Sequence, residues 1–365
     1  KEREWPNTLK MTMPGRFKLQ KFLFEAKRSG CEYVVLEVTS EGIKQKRHLG
    51  IKFDCAVFTN LHKEHIESHG SFENYRKAKE ELFAVTKNIH VLNADDPNIE
   101  HFGKYPAKRK MFFGLKRGDM KAGNIENTEN GIRFDIYGTV FNLNLAGEFN
   151  VRNCLAALAV AAIYGIDLPS AKPILESIKS IPGRMEFIPV SVKTSAGGQK
   201  NFKVVVDYAH TPDSLEAVYK TLKTQSASWR TKLKTQNKKL ICVLGAAGGG
   251  RDRWKRPEFG RIAEKYCDEI ILTNEDPYDE NPDSILDQIE SGFSNSKLNP
   301  PAGGQNSKLF RIIDRREAIK KALNDAKEGD TVVITGKGSE NSMAIAGGKK
   351  IPWSDKQTLM KLLRG

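Results

Sequence analysis

Residues 203–212, Lys-Val-Val-Val-Asp-Tyr-Ala-His-Thr-Pro, decide the fold of the second half of this chain. Three consecutive valines predict a buried strand, and the proline two positions after His210 predicts the first turn of a helix. Comparable apolar runs begin at Leu240, Glu269 and Thr331, and helix-length segments separate them. Strands that alternate with helices in this way predict a parallel α/β sheet of the Rossmann-like type.

The first half of the chain also alternates strands with helices. Apolar runs predict buried strands at 32–38, 54–59 and 89–93, and Ser71 is the predicted N-cap of a helix over 71–84. Alternating apolar and polar residues over 110–145 predict antiparallel hairpins, and an apolar helix follows at 151–164. The pattern breaks at Pro182 and Gly183, which predicts two domains, at 1–182 and 183–365.

Composition excludes several classes of protein. The 365 residues include 59 Lys plus Arg and 45 Asp plus Glu, giving a net charge of +14, and 39% are hydrophobic. No apolar run approaches the ~20 residues that cross a bilayer, so we expect no membrane association. The basic residues alternate with acids, which indicates a mixed-charge surface and no dedicated nucleic-acid face. The five cysteines form no CxxC pair, and we expect buried thiols in a reducing compartment, the cytoplasm.

Polar side chains follow two predicted strands of the first half. Glu37 ends the strand at 32–38, and a histidine-rich segment containing His65 and His69 follows the strand at 54–59. The zinc protease pattern requires a glutamate directly after the first histidine, and here it comes two positions later, so this segment alone favours a hydrogen-bonding role for His65. A carboxylate and an imidazole at one sheet edge also suit Mg²⁺ beside phosphates. The alternative to a metal-binding role is that the side chain of Glu37 caps the helix that follows.

Four loops of the second half follow predicted strands and carry charged or glycine-rich segments. Asp207 and His210 follow the first strand, where Asp207 is either a site residue or a turn cap. The loop at 245–252 is glycine-rich and precedes several cations, so it favours an anion. The loop at 274–282 holds four carboxylates, and a second glycine turn spans 336–340. Acidic and basic loops together suit a zwitterionic or diamino substrate, and solvated loops are the alternative.

These segments together resemble the Mur ligases, the ATP-dependent amide-forming enzymes of peptidoglycan synthesis, and most closely the type that adds the third amino acid to UDP-N-acetylmuramoyl-L-alanyl-D-glutamate. The similar segments appear in order along the chain: EVTSEGIKQKR, FTNLHKEHIESHG, YRKAKEELF, NADD, GEFNVRNCLAAL, GRMEF, VDYAHTPDSL, GGGRDRWKRP, NEDPYDENP and GKGSE. The resemblance implies a central ATPase-like domain at 1–182, incomplete because its phosphate loop is absent, followed by a Rossmann-like amino-acid-binding domain at 183–365.

The resemblance also implies roles for individual residues. The implied Mg²⁺ ligands are Glu37, His65 and Lys79, the last as a carbamate. The residues implied for the UDP-muramoyl-peptide are Thr12, Thr39, Gln45 and Arg47. Those implied for ATP are Asn150, Asn153, Arg184 and Asp207, and those implied for the incoming amino acid are Arg251, Asp276, Pro277, Gly336 and Glu340. Lys79, Arg184 and His210 are the implied catalytic residues.

The implied reaction is acyl activation. ATP phosphorylates the D-glutamate carboxylate, the incoming amine attacks the acyl phosphate, and ADP and phosphate leave, with Mg²⁺ and arginines stabilising the developing charge. Closure of the domains would bring the amine to the acyl phosphate. The implied partners are UDP-N-acetylmuramoyl-dipeptide, ATP and an amino acid, and we expect a cytoplasmic monomer.

The chain departs from the family pattern at several positions. It contains no GxxGK[ST] phosphate loop, which we expect upstream of Lys1 together with a UDP-binding domain, so we expect the isolated chain to be inactive. Met13 and Glu41 replace a common threonine and histidine. The amino-acid loop reads Glu275-Asp-Pro-Tyr278, whereas ligases for meso-diaminopimelate show Asp-Asn-Pro-Arg. The missing arginine removes a clamp for the distal carboxylate, so L-lysine is favoured over diaminopimelate.

Two other readings of the sequence stay open. An enzyme of the same fold, of the folylpolyglutamate synthase or cyanophycin synthetase type, would share the ATP-binding residues. A catalytically inactive protein that binds nucleotide-sugar-peptides is the alternative from a different class. A nucleic-acid binder, suggested by charge alone, would lose affinity for duplexes steeply with salt.

Overall fold

A computed structural model describes residues 12–128, 131–193, 199–233, 238–294 and 308–364. The chain packs as two compact units. The first unit contains Lys1–Lys121 and Leu155–Tyr164, and the second contains Ala122–Cys154 and Gly165–Gly365.

The first unit is built around a parallel sheet with the strand order β1-β2-β3-β4. Its strands are β1 (Cys55–Phe58), β2 (Ile89–Asn93), β3 (Arg109–Gly114) and β4 (Met120–Lys121). Its helices are α1 (Arg16–Arg28), α2 (Ser40–Lys44), α3 (Ile66–His69), α4 (Phe72–Val85) and α5 (Ile99–Gly103). Ser71 caps α4 by accepting a hydrogen bond of 3.1 Å from the backbone nitrogen of Asn74, which confirms the predicted start of this helix.

Two predictions for the first half are wrong. The segment 32–38 is not a strand: it forms no strand pairing with any described residue, and the side chains of Tyr33 and Val35 are 65% and 96% exposed. A β-branched run becomes a strand only where another strand satisfies its backbone groups, and β1 pairs only with β2 among the described residues. The second error is the antiparallel arrangement over 110–121, because β3 and β4 are parallel strands.

The second unit begins with an antiparallel sheet of the order β5-β6-β7, as predicted for the later part of 110–145. These strands are β5 (Gly123–Asn127), β6 (Ile132–Ile136) and β7 (Thr139–Leu143). Helix α6 (Glu148–Ile163), whose residues divide between the two units, and helix α7 (Leu168–Ser177) follow.

A six-stranded sheet with the order β12-β11-β10-β13-β9-β8 forms the centre of the second unit. All its neighbouring strands are parallel except β8, which runs antiparallel to β9. The strands are β8 (Glu186–Lys193), β9 (Gln199–Asp207), β10 (Leu240–Leu244), β11 (Glu269–Leu272), β12 (Lys308–Arg311) and β13 (Thr331–Thr335). The helices are α8 (Pro212–Leu233), α9 (Lys255–Tyr266), α10 (Pro282–Glu290), α11 (Arg315–Asp325) and α12 (Asp355–Arg364), and a hairpin of β14 (Ser342–Ile345) and β15 (Lys349–Pro352) precedes α12.

Alternate residues of the central strands fill two cores, one on each face of this sheet. On β9, Val205 packs in one core with side chains of α8, α9 and α10, whereas Val204 and Val206 pack in the other with α11 and α12. Successive side chains of a strand point to opposite faces, so an apolar strand buried on both sides requires helices on both sides. The predicted Rossmann-like architecture is therefore confirmed.

The expectation of five free thiols is wrong. Cys242 on β10 and Cys267 after α9 form a disulfide, because the chain returns from α9 to the strand beside β10 and brings the two Cα atoms within 6.2 Å. Cys31, Cys55 and Cys154 are free thiols. Cys154 is buried as expected, whereas Cys31 is exposed and Cys55 is half-buried, so the expectation of burial is wrong for these two. Among the described residues, no helix is both long enough and apolar enough to span a membrane.

Candidate functional site

The loops predicted to bind ligands follow β9, β10, β11 and β13, which are neighbours in the order β11-β10-β13-β9. Because these four strands are parallel, the loops lie along one edge of the sheet, the carboxyl edge where open α/β sheets bind ligands. Residues far apart in sequence thus meet there.

Asp207 fixes the turn after β9. Its buried carboxylate accepts hydrogen bonds of 2.6 Å from the backbone nitrogens of Met185 and Ala209. Burial raises the pKa of Asp207, while these hydrogen bonds and the charges of Arg184 and His210 oppose the rise. The carboxylate of Asp207 therefore connects the end of β9 to Met185, the residue that follows Arg184.

The ring of Tyr208 lies between two of the predicted catalytic side chains. The guanidinium carbon of Arg184 is 4.5 Å from the ring centroid, and the ring of His210 packs edge-on at 4.6 Å. The Nδ1 atom of His210 is 2.9 Å from the carbonyl oxygen of Tyr208, and the ammonium of Lys255 donates to the carbonyl oxygen of His210 at 2.9 Å. These contacts hold Arg184, which is exposed, beside His210.

The acidic loop and the second glycine turn meet around the ammonium of Lys337. This side chain is 1% exposed and donates hydrogen bonds to Oδ1 and Oδ2 of Asp276, at 2.8 and 2.9 Å, and to Oε2 of Glu340. The other oxygen of Glu340 accepts a hydrogen bond of 3.2 Å from the hydroxyl of Tyr208. The predicted residues Asp276, Gly336 and Glu340 are thus brought together.

Glu275 adds a third carboxylate to this cluster, and the residue is only 5% exposed. Burial raises its pKa, while the charges of Arg315, Lys337 and Lys255 favour the ionised form. A Cβ atom at Gly336, where φ is +107°, would lie 2.3 Å from Oε2 of Glu275. Only glycine leaves room for the glutamate at this position.

The glycine-rich loop packs directly against the acidic loop. The backbone nitrogen of Gly248 donates to the carbonyl oxygen of Asp276 at 2.8 Å, and a Cβ atom at Gly248 would lie 2.3 Å from the carbonyl oxygen of Pro277. Pro277 is buried, so its part in this arrangement is to shape the loop. The side chain of Arg251 is exposed. The backbone nitrogen of Arg251 donates a hydrogen bond to the carbonyl oxygen of Gly248, which closes the turn.

The two asparagines predicted for ATP lie one turn apart on α6. Asn150 is buried, and its amide donates to the carbonyl oxygen of Ala146 at 2.8 Å. Asn153 is exposed and donates to the side-chain oxygen of Asn150 at 3.3 Å. Asn150 thus orients Asn153, the asparagine with its side chain open to solvent.

In the first unit, Arg47 contacts Gln45, another residue predicted for the muramoyl-peptide. Its guanidinium donates to the side chain of Gln45 and to the carbonyl oxygen of Met13, the residue after Thr12. Thr39 caps α2 by accepting a hydrogen bond of 3.1 Å from the nitrogen of Gly42. Thr12 and Gln45 are exposed, so the side chains beside Arg47 present polar groups to solvent.

Two of the three predicted metal ligands, His65 and Lys79, lie around the ring of Tyr75 on α4, together with His69. The third, Glu37, acts on Lys79 through its charge. The rings of His65 and His69 are 5.7 and 5.5 Å from the Tyr75 centroid, and the ammonium of Lys79 is 5.3 Å from it. In the described part of the chain, no three or more His, Cys, Asp or Glu side chains are grouped closely enough to hold a metal ion.

The environment of Lys79 favours a neutral amine. Burial lowers its pKa, and the carboxylates of Glu64 and Glu37 oppose this. A neutral amine is the form that reacts with CO₂, and the resulting carbamate would supply anionic oxygens beside two carboxylates. Oxygen ligands are those that Mg²⁺ prefers, so a carbamate on Lys79 would add to these carboxylates the ligand that the implied cofactor requires.

Sequence reasoning missed Lys337 and Tyr208. Both lie inside segments that resemble the family, GKGSE and VDYAHTPDSL, in which the resemblance implied roles for Gly336, Glu340, Asp207 and His210. A lysine between two glycines directly after a buried strand was the available signal for Lys337. For Tyr208 there was no signal, because its role depends on contacts with Arg184 and Glu340, which are distant in sequence.

Comparisons with known proteins agree with this geometry. A family model described as the Mur ligase middle domain matches residues 3–161, and one described as the Mur ligase, glutamate ligase domain matches residues 183–338. A UDP-N-acetylmuramoyl-L-alanyl-D-glutamate--2,6-diaminopimelate ligase from Syntrophomonas wolfei is 35% identical over 363 residues, covering 97% of this chain and 68% of the relative.

Two further relatives have similar coverage. A UDP-N-acetylmuramyl-tripeptide synthetase from Treponema denticola is 35% identical over 388 residues, covering 99% of this chain and 68% of its own length. A solved structure of a UDP-N-acetylmuramoyl-L-alanyl-D-glutamate--2,6-diaminopimelate ligase has 30% identity and a TM-score of 0.58, over 96% of this chain and 68% of that one. This chain therefore belongs to the Mur ligase family of ATP-dependent ligases.

Proposed function

We propose that the natural full-length polypeptide to which this sequence belongs catalyses the ATP-dependent addition of a third amino acid to UDP-N-acetylmuramoyl-L-alanyl-D-glutamate, through an acyl phosphate on the D-glutamate. The observation that carries the proposal is the contact of two carboxylates, Asp276 and Glu340, with the buried ammonium of Lys337. Two carboxylates on one ammonium leave negative charge, part of it on the exposed side of Glu340, for an amino-acid ligand that brings its own ammonium group.

L-Lysine is the amino acid that we favour. The names of two relatives specify 2,6-diaminopimelate, and that of the Treponema denticola relative specifies no amino acid. Diaminopimelate carries a second carboxylate, which the excess acid of this cluster would repel. Tyr278, in place of the arginine that the resemblance leads one to expect, contributes no cation to balance it.

Roles for other residues follow from the same proposal. Mg²⁺, held by Glu37, His65 and a carbamate on Lys79, would neutralise charge on the phosphates of ATP. Arg184 would bind phosphate oxygens, because its guanidinium is exposed and fixed on Tyr208. Asn150 orients Asn153 for the adenine, and Arg47 with Gln45 would bind the anionic muramoyl-peptide, with Thr12 and Thr39 beside them.

Residues 1–182 would bind the nucleotide and the muramoyl-peptide, and residues 183–365 would bind the amino acid. The matched ranges 3–161 and 183–338 support this division.

We propose a monomer in the cytoplasm, where ATP and UDP-linked substrates are made, without a nucleic-acid or membrane partner. The Cys242–Cys267 disulfide is uncommon in that compartment. Cell fractionation tests the location, and recovery of the protein outside the cytoplasm would contradict it.

The natural full-length polypeptide provides the test. UDP-N-acetylmuramoyl-L-alanyl-D-glutamate labelled with ¹⁸O in its D-glutamate γ-carboxylate is incubated with ATP, Mg²⁺ and L-lysine. We expect tripeptide, ADP and inorganic phosphate in equal amounts, with one ¹⁸O atom carried into the phosphate. Absence of ligation despite bound substrate would favour an inactive binding protein, and ligation of a different acceptor would favour another enzyme of the same fold.

A further inference from the structure

We infer that Lys337 is a positioning residue of the amino-acid site, because its buried ammonium holds the carboxylate of Glu340 in place. Asp276 orients the ammonium of Lys337 and does not itself contact the substrate. This inference rests on the proposed function, because it concerns the same site. It also revises the role that the resemblance implies for Asp276, which was contact with the incoming amino acid.

The hydrogen bonds of Asp276 point away from a ligand role. Both of its carboxylate oxygens accept from Lys337, and Oδ1 also accepts a hydrogen bond of 2.8 Å from the backbone nitrogen of Ala344. The carboxylate thereby joins the turn after β13 to strand β14. A carboxylate engaged by a buried ammonium and a backbone amide has little capacity left for a substrate ammonium.

The backbone that carries Lys337 has little freedom to move. Gly336 and Gly338, on either side of it, adopt φ angles of +107° and +51°. A Cβ atom at Gly338 would lie 2.7 Å from Cβ of Tyr208 and 2.8 Å from the carbonyl oxygen of Gly183. This close packing fixes the start of the lysine side chain, so its ammonium reaches the two carboxylates from a defined point.

Glu340 is the member of the cluster that remains open to a ligand. Its side chain is 40% exposed, whereas that of Asp276 is 17% exposed. Lys337 donates to one of its oxygens, and Tyr208 donates to the other at 3.2 Å. Two donors fix the plane of the carboxylate while part of it faces solvent, which pre-organises Glu340 to receive an ammonium group.

Lys337→Met in the natural full-length polypeptide tests this inference, with Lys320→Met as the control because Lys320 is an exposed lysine on α11. We expect the KM for the amino acid to rise roughly tenfold or more, the effect of losing a hydrogen bond between charged groups. The KM values for ATP and the UDP-substrate should stay within about twofold of wild type. The control should leave all three KM values unchanged.

The double variant K337M/D276N separates positioning from a merely structural role. Removing both charges avoids an uncompensated buried carboxylate, so we expect the double variant to regain thermal stability relative to Lys337→Met but to keep the raised amino-acid KM. Recovery of the KM together with stability would overturn the inference, as would an equal rise in the KM for ATP. The KM is measured for whichever amino acid the wild type uses, so failure to ligate any amino acid contradicts the proposed function instead.

Discussion

The hydroxyl group of Tyr208 donates a hydrogen bond of 3.2 Å to Glu340, and the ring of the same tyrosine supports the guanidinium of Arg184. Tyr208 thus links a residue expected to contact phosphates with a residue expected to contact the amino acid. Its two functions use different parts of the side chain, the ring and the hydroxyl, so substitution can separate them.

Tyr208→Phe keeps the ring and removes the hydroxyl. We expect the KM for the amino acid to rise by roughly 3- to 10-fold, the effect of one lost hydrogen bond to a charged group, while the KM for ATP stays unchanged. Tyr208→Leu, which also removes the ring, should raise both KM values. Steady-state kinetics with each substrate varied checks this, and a changed KM for ATP in the phenylalanine variant would contradict the separation.

Gly336→Ala should lower the free energy of unfolding by about 2 kcal/mol or more, because the added Cβ meets Glu275 and the backbone is at positive φ. Gly347→Ala is the matched control, since φ is +71° there but a Cβ would meet no atom within 4 Å. Chemical denaturation of both variants measures the difference. An equal loss in the two variants would show that the close approach to Glu275 contributes nothing.

Lys79 should make activity depend on CO₂. Because burial lowers the pKa of its amine, a larger neutral fraction is available for carbamate formation than at an exposed lysine. We expect the activity of protein depleted of CO₂ to recover on addition of bicarbonate, and ¹³C-bicarbonate to give a carbamate NMR signal that Lys79→Ala abolishes. Lys77→Ala, at an exposed position of the same helix, should keep both properties. A carbamate signal that persists in Lys79→Ala would refute this assignment.

Glu269 should make the stability of the second unit fall as the pH rises from about 4.5 to about 7. Burial and the neighbouring carboxyl of Asp325 raise the pKa of Glu269 to about 7, with Lys239 and Lys321 opposing the rise. An acid with a raised folded-state pKa contributes its stability fully below its ordinary pKa of 4.5 and loses it as the pH rises through 7.

Glu269→Gln stays neutral at every pH, so it tests this dependence. Relative to wild type, we expect a gain on the order of 1 to 3 kcal/mol in the free energy of unfolding above the raised pKa, and little change at acidic pH. Urea denaturation across the pH range measures it, with the exposed Glu317→Gln as control. Parallel pH profiles of wild type and Glu269→Gln would show that Glu269 does not titrate in this range.

Tyr278→Arg should shift the amino-acid preference toward diaminopimelate, because an arginine at this position supplies the cation that a second carboxylate needs. The measured quantity is the ratio of kcat/KM for L-lysine to that for meso-diaminopimelate. The control is Tyr137→Arg, at an exposed position between β6 and β7. An unchanged ratio in Tyr278→Arg would show that the residue at position 278 does not determine which amino acid is preferred.

Strands β10, β11 and β13 of the second unit were predictable because they are buried on both faces, so their residues read as continuous apolar runs. The short strand β12, which is only partly buried, was not predicted. The same signal failed at 32–38, where a β-branched run has no neighbouring strand among the described residues. Whether such a run pairs depends on residues distant in sequence, and local composition carries no information about them.

The candidate site was predictable where it depends on loops after strands, as at Asp207 and Gly336. It was not predictable where it depends on contacts across loops. The position of Lys337 between Asp276 and Glu340 follows from β11 and β13 lying on either side of β10, an order that the sequence does not state. The disulfide of Cys242 with Cys267 was missed for the same reason.

The most direct test of the account is the ratio of kcat/KM for L-lysine to kcat/KM for meso-diaminopimelate, measured with the natural full-length polypeptide, ATP and UDP-N-acetylmuramoyl-L-alanyl-D-glutamate. The carboxylates around Lys337 predict a preference for lysine of roughly tenfold or more, which corresponds to about 1.4 kcal/mol of differential transition-state binding. A clear preference for diaminopimelate would contradict the account, because it would show that the acidic cluster does not select the side chain of the incoming amino acid.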